Sequence, residues 1–300
     1  MRGFMAVSWS PHDPVGVRTG RTLRTLAVAD GWTAIEVKDA SWVAVRGPNP
    51  PAVYSPRKDT LVVGEVFSHP DARPGSADGD TDRDVATWYS RNRWGRYIIL
   101  FRSPDGAFRS VFRDPSGSLA VHGWSARGVQ ILASSMFEGL IAAAPPNIDF
   151  DWDRVRALVE RPFDLGGGGP VTGITTVQPG HLHETGGQSH AVWAPAAIAA
   201  APTRRIDLAR VELQRRLDLC VSALSGRRSI GMEISGGLDS AIVGGALKAL
   251  GRPLAFGLNT RAPHAETDER RYAQAVAEAV GAPLTCLARA DVAYSAELFE

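Results

Sequence analysis

Ser235-Gly236-Gly237-Leu238-Asp239-Ser240 is the stretch where residue types converge on a definite chemistry. Two successive glycines let the backbone turn tightly and bring its N–H groups close to an anion. The hydroxyls of Ser235 and Ser240 add donors. A carboxylate in their midst, Asp239, would repel a phosphate unless a cation lay between the two. Magnesium, which favours one or two carboxylates together with phosphate oxygens, is the natural bridge. A pyrophosphate–Mg²⁺ site thus accounts for glycines, serines and aspartate together. The plainer alternative is a glycine-rich strand-to-helix turn with Asp239 as an N-cap-like residue. Lys248 comes too far along to serve as a Walker A lysine, so γ-phosphoryl transfer is not supported.

Such a loop works only between a strand and a helix, at the carboxyl end of a parallel sheet strand. Ile230-Gly231-Met232-Glu233-Ile234 reads as a short buried strand, and 241–250 as a helix closed by Gly251. Residues 253–258 form the next strand. Thr267 is placed to cap a helix with Asp268 and Glu269 in its first turn, where acids suit the dipole. That helix turns Tyr272, Ala275, Val276 and Ala279 inward and ends at Gly281; residues 283–287 begin a third strand. The order β-α-β-α-β predicts a parallel, Rossmann-like α/β sheet, with a helix N-terminus adding its N–H groups to the cradle. Just upstream, Leu213, Leu217, Cys220, Val221 and Leu224 share one helical face, while Arg210, Arg215 and Arg216 form a solvated one.

Before about Trp193 the texture is different. Short runs such as Ser41-Trp42-Val43-Ala44-Val45, Thr60-Leu61-Val62-Val63-Gly64, Tyr97-Ile98-Ile99-Leu100-Phe101 and Val129-Gln130-Ile131-Leu132-Ala133 are β-branched or aromatic and bounded by turn residues. Residues 97–123 read as consecutive hairpins, turning at Pro104-Asp105-Gly106 and at Asp114-Pro115-Ser116-Gly117. Residues 71–84 read as an acidic surface loop, and 166–169, four glycines before Pro170, as a flexible loop. The alanine-rich 195–202, with proline at each end, reads as a linker. The expected layout is two domains, α/β and α+β: 1–194, a linker at 195–205, and 206–300.

The 300 residues suit about two domains at ~100–200 residues each. Hydrophobic residues at 44% and charged residues at 22% are ordinary for a soluble globular protein, which argues against wholesale disorder. A formal charge of +1 gives no extended basic footprint for nucleic acid or anionic membrane. Two cysteines, Cys220 and Cys286, make neither a disulfide framework nor a four-ligand zinc site, as expected of a reduced, cytoplasmic chain. No secretory h-region develops before Pro11, and no apolar run nears the ~20 residues of a membrane helix.

The Ser-Gly-Gly-Leu-Asp-Ser string resembles the PP-loop of ATP pyrophosphatases, which split ATP between its α- and β-phosphates. Upstream segments resemble the asparagine synthetase family in family order. These are Gly64-Glu65-Val66-Phe67, Arg113-Asp114-Pro115-Ser116-Gly117, Ile131-Leu132-Ala133-Ser134-Ser135 and Val177-Gln178-Pro179-Gly180-His181. Within the synthetase part, Leu254-Ala255-Phe256-Gly257-Leu258 and Thr267-Asp268-Glu269 follow. The resemblance implies an N-terminal Ntn-hydrolase-like β-rich sandwich, of class II glutaminase type, followed by a Rossmann-like PP-loop domain. It implies ATP and Mg²⁺ as ligands, with Asp239 binding the metal. Ser235, Gly236, Gly237 and Ser240 would then hold the pyrophosphate end, and Ile234 and Phe256 would contact adenosine through backbone atoms. Asp268 and Glu269 are read as dipole partners or as nucleotide contacts, and His181 and His264 as loop residues.

Two departures from the family pattern bear on chemistry. The family's Met-Cys-Gly reads Met1-Arg2-Gly3, and an N-terminal cysteine is the glutaminase nucleophile. Its carbonyl-polarising Asn-Gly pair reads Val63-Gly64. Glutaminase activity is therefore expected to be absent, and the amine must come from elsewhere. Branches with this defect include β-lactam synthetases and the macrolactam synthetases that close lasso peptides, and the latter is the preferred reading, with a peptide substrate and a leader-processing protease as partner. An ammonia-dependent asparagine synthetase and a non-catalytic nucleotide-binding module are the alternatives. The chain stops at Glu300, three strands into a sheet expected to have about five, and is read as the front part of a longer enzyme.

Overall fold

The computed structural model describes residues 3–72, 77, 79–135, 137–141, 143–161, 168–200, 205–226, 229–261 and 268–288. The chain divides into two compact units, Met1–Ala201 and Pro202–Glu300.

In the first unit the order is β1 (Gly3–Trp9), α1 (Pro14–Ala29), β2 (Thr33–Lys38), β3 (Ser41–Arg46), β4 (Val53–Arg57), β5 (Thr60–Ser68), α2 (Asp82–Asn92) and β6 (Arg93–Arg102). Then come β7 (Phe108–Arg113), β8 (His122–Ala126), β9 (Val129–Ala133), α3 (Glu138–Ile141), α4 (Trp152–Glu160), β10 (Thr175–Thr176), β11 (His181–Glu184), β12 (Ser189–Ala191) and α5 (Pro195–Ala199). The strands form two six-stranded sheets, ordered β10-β8-β9-β1-β3-β2 and β12-β11-β7-β6-β5-β4.

Alternation along the central strands builds the layers. Phe4 and Ala6 of β1, Val43 and Val45 of β3, Leu61 and Val63 of β5, and Ile98 and Leu100 of β6 meet in one core between the sheets. The opposite faces are apolar too. Met5, Val7, Trp42 and Ala44 pack with Leu23 and Ala27 of α1 and Leu140 of α3. On the far side of the second sheet, Val62, Tyr97 and Ile99 pack with Val85, Ala86 and Tyr89 of α2. The unit is therefore helix, sheet, sheet, helix, and its central strands are apolar on both sides for that reason.

Three local expectations are corrected. The turn at Asp114 forms, with Gly117 N donating to the Asp114 carbonyl at 3.1 Å, but no hairpin follows: β7 lies in one sheet and β8 in the other. The acidic segment 71–84 is not all loop. Thr81 and Asp84 form a reciprocal capping box that starts α2 at Asp82. The alanine-rich stretch is helical at Pro195–Ala199, since proline suits the first helical position and alanine carries the best helix propensity. Gly166, Gly167 and Pro202 lie outside the described residues, while the Gly168 carbonyl accepts a 3.0 Å bond from Arg154.

The second unit runs α6 (Ile206–Ser225), β13 (Ile230–Glu233), α7 (Leu238–Ala249), β14 (Leu254–Arg261), α8 (Arg270–Val280) and β15 (Leu284–Ala288). Its three strands pair in parallel in the order β13-β14-β15. Ile230 and Met232 point to the helices, packing with Val221 of α6 and Ala246 and Leu247 of α7. The α6 stripe is only partly used: Val221 is buried, whereas Leu213 and Leu224 are exposed. Arg215 and Arg216 both bond Glu212, at 2.8 and 2.5 Å, and these guanidinium bonds hold the Glu212 carboxyl down to about 2. The inward face of α8 is Ala273, Val276 and Ala277, not the expected Tyr272, Ala275 and Ala279. An amphipathic tyrosine tolerates the rim, and the small alanines allow close approach to the loop described next.

Candidate phosphate-binding loop

The loop starts where β13 ends. Ile234, fully buried, packs with Ala273 and Ala277 of α8. Its N–H donates to the Leu258 carbonyl at 2.7 Å, and its carbonyl accepts from the buried Asn259 amide at 2.8 Å. Both partners belong to β14, so the neighbouring strand pins the backbone entering the loop.

Gly236 then takes φ +91°, a conformation that L side chains rarely adopt. A Cβ there would sit 2.8 Å from the Glu269 carbonyl and 3.1 Å from Ala273 N, so the glycine also lets the loop lie against the start of α8. Gly237 has ordinary extended geometry (φ −76°, ψ 168°) and occupies the N-cap of α7 without a side-chain cap. The first helical bond runs from Ala241 N to the Gly237 carbonyl at 3.3 Å. The N–H groups of Leu238, Asp239 and Ser240 precede it and have no intrahelical acceptor. With the positive end of the α7 dipole they favour an anion.

The hydroxyls are arranged around this turn. Ser235 Oγ accepts from Gly237 N at 3.2 Å and lies 3.2 Å from Ser240 Oγ, which itself donates to the Gly237 carbonyl at 3.1 Å. Asp239 is exposed in the first turn of α7. The structure therefore brings Ile234, Ser235, Gly236, Gly237, Asp239 and Ser240 into one continuous strand–loop–helix.

Phe256 is not part of that group. It pairs with Gly231 in mid-strand, half-exposed, and its ring lies where a Gly231 Cβ would be, on the sheet face opposite Ile230 and Met232. The β14 residues beside Ile234 are Leu258 and Asn259. Asn259 went unpredicted, and its signal is a lone amide inside the apolar run 254–258 extended by one residue. Lys248 donates to the Ala279 carbonyl, occupied at the far end of α7.

Asp268 and Glu269 precede α8 instead of sitting in its first turn. Glu269 is the N-cap residue and Asp268 bonds the Arg270 side chain at 2.8 Å. Thr267, His264 and Glu300 lie outside the described residues. His181 opens β11 and its Nδ1 lies 3.0 Å from the Pro179 carbonyl, a loop contact.

In the first unit Met1 and Arg2 lie outside the described residues. Val63 is fully buried in the inter-sheet core, and Gly64 adopts φ +127° against the Arg96 carbonyl. Arg113-Asp114 is structural in geometry: the Arg113 guanidinium donates to the carbonyls of Leu119 at 2.9 Å, Val177 at 2.7 Å and Gly117. Cys220 and Cys286 are free thiols. No helix among the described residues is long and apolar enough to cross a membrane.

None of the curated proteins matches the chain. Among solved structures, the allosteric regulatory enzyme of purine biosynthesis aligns over 96% of this chain and 74% of that one, at 11% identity. Its TM-score of 0.29 is too low to support a conclusion about fold. The loop itself falls within a match of another kind: residues 212–295, from α6 through β15, match the asparagine synthase family model, which supports the asparagine synthetase family for this segment.

Proposed function

We propose that this chain is an ATP-dependent, amide-forming ligase that adenylates a carboxylate and passes it to an amine, and that its reaction is macrolactam closure of a lasso peptide. The observation that carries the ligase reading is the Ser235–Ser240 turn at the end of β13, within the segment matching asparagine synthase. On this reading the N–H groups of Gly236 and the first turn of α7 hold the pyrophosphate end of ATP, Gly237 N and the Ser240 hydroxyl exchange their bonds to Ser235 Oγ and the Gly237 carbonyl for phosphate oxygens, and Ser235 adds a hydroxyl donor. The substrate carboxylate attacks the α-phosphorus, the bond to the bridging oxygen breaks, and pyrophosphate leaves. An amine then attacks the acyl carbon and AMP departs, the amine losing its proton as the amide forms.

The loop offers one carboxylate, Asp239, and the hydroxyls of Ser235 and Ser240, too few to hold a divalent cation without phosphate oxygens to complete the set. Among the described residues no group of three or more His, Cys, Asp or Glu forms a separate metal cluster. Asp239, the carboxylate in the first turn of α7, is the residue that would hold Mg²⁺. Magnesium bound there supplies charge neutralisation for the leaving pyrophosphate.

The macrolactam reading rests on Arg2 and Val63, where the glutaminase pattern calls for cysteine and asparagine. With no thiol nucleophile and no side-chain donor for the carbonyl, the first unit acts as a scaffold, and the amine belongs to the substrate. A leader-processing protease would then supply the free N-terminal amine, in the cytoplasm.

The test is pyrophosphate release by the full-length protein with ATP, comparing a leaderless peptide with aspartate plus ammonia. Release with the peptide, and a product lighter by one water, supports macrolactam closure. Release with aspartate and ammonia returns the reaction to asparagine synthesis. Asp239→Asn should keep ATP binding and lose release; unchanged turnover overturns the catalytic reading.

A further inference from the structure

The first unit carries a surface that the ligase reading does not use. Helix α1 contains no acidic residue and three arginines, Arg18, Arg21 and Arg24. None of the three has an ion-pair or hydrogen-bonded side-chain partner among the described residues. Arg46, Arg96, Arg109, Arg215 and Arg270, by contrast, pair with carboxylates. Unpaired cations spaced along one helix, beside apolar surface, mark a face suited to an anionic partner.

Arg21 and Arg24 rim a groove of about 750 Å³ between α1 and the β2–β3 hairpin. Its apolar lining is Trp9, Pro11, Val17, Val37 and Trp42. The floor is rigid. The Trp42 indole donates to the Gly20 carbonyl at 2.9 Å, and the Trp9 ring packs against Gly20, where a Cβ would approach to 2.2 Å. The Trp9 indole N–H is buried and makes no hydrogen bond. Val37 stays 46% exposed and Ile35, two residues earlier on the same strand, 47%, so the strand bordering the groove presents uncovered apolar surface. Lys38 lies on the same lining, and Asp39 is its one carboxylate against three cations.

We propose that this groove docks an acidic peptide segment with apolar side chains, the carboxylates meeting Arg21 and Arg24 and the apolar groups covering Val37 and Val17. Strand addition to the sheet edge is not the mode. Although β2 is the outermost strand, its register against β3 shifts between Ala34 and Glu36, and such a bulge spoils an edge for further pairing. Recognition runs through side chains. Nucleic acid is the poorer occupant, because two rim arginines and one lysine over an apolar floor give neither a long basic track nor a stacking platform open to bases.

The experiment is fluorescence anisotropy of the full chain with a labelled peptide alternating Glu and Leu, and with the same peptide carrying Gln for Glu. Arg21→Glu combined with Arg24→Glu should weaken binding of the acidic peptide at least about tenfold, as two attractive contacts become repulsive. Val37→Ser should weaken it about threefold or more by removing apolar cover. Arg18→Glu changes the net charge by the same amount per residue but lies off the groove, and should cost less than about twofold. These are surface sites, and unchanged circular dichroism confirms that each variant folds. Equal binding of the Glu and Gln peptides, a loss from Arg18→Glu as large as that from the combined Arg21→Glu and Arg24→Glu change, or tighter arginine-dependent binding of an RNA oligonucleotide would each overturn the proposal.

Discussion

The side-chain amide of Asn259 donates a 2.8 Å hydrogen bond to the carbonyl of Ile234, the residue immediately before the loop. Both residues are buried, at 3% and 0% exposure. With Ile234 N bonded to the Leu258 carbonyl, both polar groups of that peptide residue are satisfied by β14. The entry to the cradle is thus held by a neighbouring strand, so Gly236 starts its left-handed turn from a fixed point and the ligand need not supply that order.

Replacing Asn259 with leucine should expose the value of this clamp. The Ile234 carbonyl would keep its burial and lose its donor, a cost of about 1–3 kcal/mol. Urea unfolding should move to a lower midpoint with an unchanged slope. Affinity for ATP should fall as well, because the loop loses its fixed start. A variant as stable as the parent would show that the bond is dispensable.

The two loop glycines should respond differently to alanine. At Gly236 the backbone is at φ +91° and a Cβ meets the Glu269 carbonyl at 2.8 Å, so Gly236→Ala should cost ~1–2 kcal/mol in backbone strain alone, before the clash is counted. At Gly237 the backbone is ordinary and the nearest atom is Ser235 Oγ at 3.3 Å. Gly237→Ala should leave thermal unfolding within about 0.5 kcal/mol of the parent. If it nevertheless weakens ATP binding, the methyl is blocking the approach of phosphate to the backbone. Equal destabilisation by the two substitutions would contradict this geometry.

What could be read in advance follows from how local each signal is. The strand before the loop, the helix after it and the α8 stop at Gly281, φ +76°, are local, and the structure has them. The face of α8 is a tertiary matter. Tyr272 and Ala273 are equally compatible with a 3.6-residue period, and only the approach of Gly236 to Ala273 N decides that the smaller residue turns inward. The Asp114 turn likewise bends the chain without saying whether the next strand pairs back, and here the chain crosses to the other sheet. Phe256, which the resemblance sets beside Ile234, pairs with Gly231 and so lies two residues before Leu258, the residue bonded to Ile234.

Arg113 should prove a stability residue whose geometry matters as much as its charge. Three carbonyls, on Leu119, Val177 and Gly117, are gathered by one guanidinium. Arg113→Ala leaves them without that donor and should cost about 3 kcal/mol or more. Arg113→Lys should recover less than half of that, since one ammonium cannot reproduce the planar fork. Chemical denaturation of both variants reads the difference, and full rescue by lysine would mean that charge alone is needed.

Asp114 supplies a pH dependence opposite to the usual carboxylate. Burial pushes its carboxyl above the ordinary 3.8, outweighing the Ser116 and Tyr97 hydrogen bonds and the Arg113 charge that favour ionisation. Because the folded value is raised, the unfolded chain releases the proton first as pH rises. The contribution of Asp114 to stability is greatest below 3.8 and declines between 3.8 and the raised folded value. Asp114→Asn removes that decline and brings a constant cost. One carboxylate oxygen accepts from Tyr97 N at 3.1 Å and the other from Ser116 N at 2.8 Å, and an amide can accept with only one of its two ends. The variant should be less stable by about 1–2 kcal/mol at neutral pH, and the gap should widen as pH falls through the acid range. Urea unfolding of parent and variant at matched pH from about 3 to 7 gives the difference directly, with the other carboxylates cancelling. A gap that narrows towards acid would mean that the folded carboxyl sits below its unfolded value, held ionised by Arg113.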